Sequence, residues 1–182
     1  MNTLPIVAQG EPTVKTKVLL VDDDSSVVAA LTGVLRSEGY DVIEACDGHA
    51  ALQHFHTVGG TAIVLLDLNM PVKGGWDTFE QLTAINPLLP IILITARPDQ
   101  HALADAAGVA ALMEKPLEIP LLLETMRMLL AEPPETRLAR LAGRGPHTLH
   151  LHTPAALSNT GPAGQVVRGR TIAGTTHPHP PL

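Results

Sequence analysis

Three aspartates stand where they could share one cation. Asp67 closes the apolar run Ala62-Ile63-Val64-Leu65-Leu66 and precedes Leu68-Asn69-Met70-Pro71, while Asp22 and Asp23 close Val18-Leu19-Leu20-Val21. Thr95 ends Ile91-Ile92-Leu93-Ile94, and Lys115-Pro116 follows Val109-Ala110-Ala111-Leu112-Met113. Carboxylates gathered at one point repel, and their charged forms persist only with a counter-charge. Magnesium suits such a set, because it accepts one or two carboxylates and keeps waters and a phosphate oxygen. A carboxylate oxygen beside such an ion can attack phosphorus and form an acyl phosphate. The transferred group spreads charge over three oxygens, so catalysis becomes positioning and charge stabilisation. The ion, the Lys115 amine and the Thr95 hydroxyl would each take one.

Taken singly, these residues have ordinary readings. Asp22-Asp23-Asp24 is a turn with a helix cap, Asp67 a strand end, Thr95 a strand former and Lys115 a surface amine. Together they require an element order that delivers all of them to one edge. The runs at 18–21, 62–66 and 91–94 are continuous rather than alternating, as expected for strands covered on both faces of a parallel sheet. Shorter runs at 41–45 and 109–113 supply a second and a fifth strand.

Helices are predicted between them. Val27 or Val28, Leu31, Val34 and Leu35 follow helical spacing, with Asp24, Ser25 or Ser26 as cap and Gly39 as stop. Further helices are expected at 49–57, 75–85, 99–107 and 117–131, with turns at Gly59-Gly60, Gly74-Gly75 and Asn86-Pro87. The fold class is therefore α/β: a five-stranded parallel sheet, flavodoxin-like, with helices on both faces. In the order 2-1-3-4-5 the binding crevice lies beyond the first and third strands, where Asp22, Asp23 and Asp67 stand.

The 182 residues suffice for one core, expected at 16–132 after a flexible segment at 1–15. Up to residue 132 there are 17 acidic and 7 basic side chains; beyond it there are 1 and 5. An acidic core excludes a nucleic-acid footprint on the domain, so no direct DNA binding is expected. No apolar run approaches the roughly 18 residues that cross a bilayer, and no secretory signal opens the chain. A cytoplasmic location is expected, and the single Cys46 fits a reducing compartment. Residues 133–182 are rich in Gly, Pro, Thr, His and Arg. They read as a low-complexity, disordered tail, with room for a helical continuation over about 135–142. The tail histidines, His147, His150, His152, His177 and His179, lack a carboxylate or Cys companion in sequence and are not read as a metal site.

Val21-Asp22-Asp23, Leu66-Asp67-Leu68-Asn69-Met70-Pro71, Ile94-Thr95-Ala96 and Lys115-Pro116 resemble, in order and spacing, the receiver domain of bacterial two-component response regulators. The resemblance covers about residues 15 to 132. It implies that Asp67 is the phosphoacceptor, served by a sensor histidine kinase or a phosphotransfer protein. It implies magnesium held by Asp23 directly, by Asp22 through water, by Asp67 and by the Asn69 backbone carbonyl. Thr95 and Lys115 become the switch hydroxyl and amine, and the Lys115–Pro116 bond is expected to be cis. Such a protein acts by switching partner binding in a phosphorelay and is not expected to be an enzyme.

One departure concerns readout. Leu112 occupies the position, three before the lysine, where the family places Tyr or Phe. The alternative reading is therefore an interaction module that keeps the fold without regulated phosphorylation. A phosphohydrolase is disfavoured, because Asn69 stands where a second acid would protonate the leaving group. On the last helix, Leu121 and Met128 lie off the main apolar face, which suggests a surface for a downstream partner or a homodimer built from the fourth helix, fifth strand and fifth helix.

Overall fold

Alternation within continuous apolar strands creates two cores, one on each side of a sheet. Val18 and Leu20 of β1 (Lys17–Val21) enter one core while Leu19 and Val21 enter the other. All four are fully buried. The same division holds in β3 (Thr61–Asp67), with Ile63 and Leu65 on one side and Val64 and Leu66 on the other. This is why Val18–Val21 and Ile63–Leu66 are apolar without a break, with the polar Lys17 and Thr61 at the strand starts and Asp67 at the end of β3. The computed structural model describes residues 15–71, 74–144 and 148–151.

The remaining elements are α1 (Ser25–Ser37), β2 (Asp41–Ala45), α2 (Gly48–Val58), α3 (Gly75–Ile85), β4 (Ile91–Thr95), α4 (His101–Ala106), β5 (Ala111–Glu114), α5 (Ile119–Ala131), α6 (Pro134–Leu141) and β6 (Leu149–Leu151). Leu31 and Leu35 of α1 and Leu122, Met126 and Leu129 of α5 cover one face; Ala51 of α2, Phe79 and Leu82 of α3 and Ala104 of α4 cover the other. The sheet is wholly parallel, in the order β2-β1-β3-β4-β5-β6. Asp24 caps α1 by accepting from the Ser26 and Val27 amides, and Gly39, at φ 89, ends its turn in a conformation that side chains resist. Among the described residues no helix is long and apolar enough to cross a membrane.

The order 2-1-3-4-5 extends to a sixth strand, which corrects the expectation of disorder at 149–151, while α6 falls where the sequence left room for a helical continuation over about 135–142. Pro133-Pro134 stops α5, but Pro134 sits in the first turn of a new helix, where a missing N–H costs nothing. That helix is fastened underneath the sheet. Arg137 donates to the Leu88 carbonyl at 3.0 Å and to the Leu129 carbonyl at 2.6 Å. Arg140 pairs with Glu132. The chain then starts β6 from the same side as β5, so the two run parallel. The disorder expected for 1–14, 145–147 and 152–182 lies outside the described residues.

Candidate functional site

Ladder register alone brings four strand ends to one level. Val21 pairs with Leu66, so Asp22 follows β1 just where Asp67 closes β3. Asp67 pairs with Ile94, which places Thr95 one residue further. Thr95 pairs with Glu114, and Lys115 follows. Backbone bonds carry the ladders past the strand ends: Leu68 N–H to the Ile94 carbonyl and Lys115 N–H to the Thr95 carbonyl, both at 2.8 Å, and Asp22 N–H to the Ala45 carbonyl at 3.2 Å.

Asp22, Asp23 and Asp67 each offer a carboxylate oxygen, and these atoms lie within 4.8 Å of one another. Asp22 and Asp67 are buried and Asp23 faces solvent. Each buried carboxylate is held twice. One oxygen caps its own turn: Asp22 Oδ1 accepts from Asp24 N–H at 2.9 Å, and Asp67 Oδ1 from Asn69 N–H at 3.0 Å. The other meets Lys115, whose Nζ lies 3.1 Å from Asp22 Oδ2 and 2.9 Å from Asp67 Oδ2. Burial pulls the Lys115 amine down, but its hydrogen bonds to Asp67 and Asp22, helped by their charges, outweigh that and raise it above the ordinary 10.5. Three acids face one ammonium, so the cluster keeps an excess of negative charge beside an open side. That donor set suits a hard divalent cation with oxygen ligands and retained water.

Thr95 is fully buried. Its hydroxyl has two acceptors in reach, Asn69 Oδ1 at 3.3 Å and the Arg97 carbonyl at 3.4 Å, and it accepts from Arg97 N–H at 3.0 Å. Asn69 Oδ1 also accepts from Ala96 N–H at 3.1 Å. The Asn69 side chain thus stitches the loop after β3 to the loop after β4, a part that the sequence reading, confined to its backbone carbonyl, missed. Gly75 was missed in a different way. It reads as a turn residue, yet a Cβ there would lie 2.4 Å from the Asp67 carbonyl oxygen and 2.5 Å from Leu68 Cα. The start of α3 can lie against the end of β3 only without a side chain.

Leu112 is fully buried, in register with His150 of β6. The Lys115–Pro116 bond is cis. Trp76 is half-buried, and its indole N–H donates to Gln100 Oε1 at 2.8 Å. Lys73 lies outside the described residues. Of the two off-face residues of α5, Met128 is 49% exposed, whereas Leu121 packs partly against the core.

The model of the response regulator receiver domain matches residues 18–127, more than half of the chain. The chain belongs to that family. Receiver domains are the signalling modules of two-component systems. The chain is 36% identical over 124 residues to the transcriptional regulatory protein ZraR of Salmonella typhimurium, covering 67% of this chain and 28% of that protein. It therefore spans less than a third of that relative. Among solved structures, it resembles the chemotaxis protein CheY4 of Vibrio cholerae, with 28% identity and a TM-score of 0.60 over 64% of this chain and 99% of that one. It also resembles the response regulator TrrA of Thermotoga maritima in complex with Mg(2+)-BeF, with 26% identity and a TM-score of 0.58 over 63% and 98%.

Proposed function

We propose that this receiver takes a phosphoryl group on Asp67 from a phosphohistidine donor, in a magnesium-dependent reaction, and thereby changes its affinity for a protein partner. The observation that carries this reading is the group of Asp22, Asp23 and Asp67 around one point, with Lys115 bridging two of them. The relative solved with Mg(2+)-BeF supports it.

In this reading Asp22, Asp23, Asp67 and the Asn69 carbonyl hold the ion. When bound, magnesium supplies positive charge to the transferred oxygens. The chain's own residues do the rest. An Asp67 carboxylate oxygen forms the new bond to phosphorus as the phosphorus–nitrogen bond of the donor breaks, and the donor imidazole retains its electron pair. Asp67 Oδ1 is already engaged by Asn69 N–H, which orients the carboxylate. Lys115 keeps its proton and donates to a phosphoryl oxygen. The Thr95 hydroxyl turns to another, leaving Asn69 and Arg97.

Intact mass after incubation with acetyl phosphate and magnesium tests this. The wild type should gain one phosphoryl group; Asp67→Asn, or the wild type in chelator, should gain none. An unmodified wild type would defeat the reading. The second reading, an interaction module indifferent to phosphorylation, is favoured by the burial of Leu112 in place of a movable ring. Identical behaviour of phosphorylated and unphosphorylated protein towards its partner would support it.

A further inference from the structure

The free edge of β5 is covered by the chain itself, and the covering is slight. β6 pairs only three residues, Ala111 with Leu149, Leu112 with His150 and Met113 with Leu151. Leu149 and Leu151 lean on the core shared with α5, yet no residue of β6 is fully buried. On the opposite face the strand is held by polar and ring contacts to α4. Thr148 Oγ1 donates to the Ala104 carbonyl at 3.3 Å, and His150 Nε2 lies 2.8 Å from Asp105 Oδ1. The His150 ring rests on that of His101, with centroids 4.4 Å apart.

His101 links this strand to the phosphoacceptor site. It is the first residue of α4, directly after the turn Pro98–Gln100, which follows Thr95-Ala96-Arg97. Its Nε2 lies 2.8 Å from Glu114 Oε1, and Glu114 immediately precedes Lys115. One imidazole therefore touches the last residue of β5 and the ring on β6. It stands six residues after the Thr95 hydroxyl, along a segment that this hydroxyl helps to hold through Arg97.

We propose that β6 is a detachable clip on the β5 edge whose hold is set from Asp67 through Thr95, His101 and His150. The inference rests on Asp67 being the phosphoacceptor. When Thr95 turns towards a phosphoryl oxygen it gives up Arg97, the segment before α4 shifts, and His101 withdraws from His150. β6 then loosens. Its release uncovers a row of backbone donors and acceptors on β5, flanked by α4 and α5, which carry the exposed Leu103 and Met128. Such an edge accepts an extended segment of a protein partner by strand addition.

Hydrogen exchange on the full chain, with intact mass read from the same samples, tests the clip. With acetyl phosphate and magnesium, peptides spanning 148–151 should exchange about tenfold faster than in untreated protein, as expected when a local opening becomes easier. His101→Ala, which leaves the carboxylate cluster untouched, should take up phosphate like the wild type yet show the same fast exchange at 148–151 in both conditions. Phosphate uptake with unchanged exchange at 148–151 would overturn the clip alone. A full wild-type difference in His101→Ala would overturn the route through that ring. No uptake of phosphate would overturn the Asp67 reading, and control of the clip with it.

Discussion

Lys115 sits between two buried acids that reach it from different strands, its Nζ 2.9 Å from Asp67 and 3.1 Å from Asp22. It is the described positive charge in contact with the cluster, and it keeps two carboxylates compatible within one buried site. Removing it leaves them facing each other with no ammonium between. Lys115→Met is expected to lose about 3–5 kcal/mol of stability in urea unfolding, the order found when one partner of a buried pair is deleted. A divalent ion would then be the remaining counter-charge. Magnesium should therefore raise the melting temperature of the variant by more than that of the wild type. Equal shifts in both proteins would show that the ion and the amine do not answer the same charge.

Gly75 sets a second condition on Asp67, through space rather than charge. A Cβ at 2.4 Å from the Asp67 carbonyl oxygen and 2.5 Å from Leu68 Cα has backbone, not a flexible side-chain tip, in its way. Gly75→Ala must push α3 away from the end of β3 or twist the strand end. The expected cost is about 1–3 kcal/mol, in the range of overpacked cores. Slower phosphate uptake should accompany it, because the displaced atoms belong to the backbone of Asp67, the proposed phosphoacceptor, and of Leu68. Wild-type stability in chemical denaturation would refute the clash.

The strands at 17–21, 61–67 and 91–95 lie within a residue or so of the apolar runs that predict them, because a strand buried on both faces must be continuously apolar, whereas the 41–45 strand at the sheet edge exposes Asp41 and Glu44. The gathering of Asp22, Asp67, Thr95 and Lys115 follows from those runs, since parallel strands end on a common edge. What stayed hidden depends on distance rather than pattern. The Gly75 clearance exists only once α3 lies on β3. The Asn69 side chain shows its role only when the two loops meet. β6 is three residues long with no apolar run of its own; the edge of β5 makes it a strand. His150 finds in Asp105 the acid companion that its own neighbours in sequence do not provide.

The helix α6 offers a sharp test of whether residues after 133 belong to the domain. Arg137 closes the carbonyls of Leu88 and Leu129, and its guanidinium also lies near Glu132. Arg137→Ala leaves those acceptors without this donor and should lower stability by about 1–3 kcal/mol. Arg137→Lys should recover little, since a single ammonium cannot span two carbonyls as a planar fork does. If both variants unfold at wild-type urea concentrations, α6 contributes nothing to the fold.

Acid sensitivity is predicted at the start of α2. The Asp47 carboxyl is held below its ordinary 3.8, chiefly by the Ala50 N–H that it accepts at 2.8 Å. A depressed folded value means that its stabilising contribution is complete above 3.8 and fades as the pH falls through the lower, folded value. Asp47→Ala should therefore melt below the wild type near neutrality, with the two curves converging in strong acid. Asp47→Ser, which retains a capping oxygen without a charge, should stay nearer the wild type and show less of that convergence. A gap that stays constant down to strong acid would place the effect elsewhere than in the charged cap.

Trp76 is the only tryptophan in the chain, and from α3 it touches the turn before α4, the segment that ought to move. Its indole N–H donates to Gln100 Oε1 at 2.8 Å, and its ring stands edge-on to Phe79, centroids 5.7 Å apart. Phe79 is anchored in the core, whereas Gln100 belongs to the turn between Thr95 and α4. Any displacement of that turn changes the polarity around the indole on one side only. Acetyl phosphate with magnesium should alter tryptophan emission in the wild type and leave Asp67→Asn unchanged. Gln100→Ala should shift the resting emission, because the indole loses its acceptor, and should respond less to phosphorylation although it takes up phosphate normally. A Gln100→Ala protein that responds like the wild type would mean that Trp76 senses something other than the turn, and that Thr95 does not pull on the start of α4.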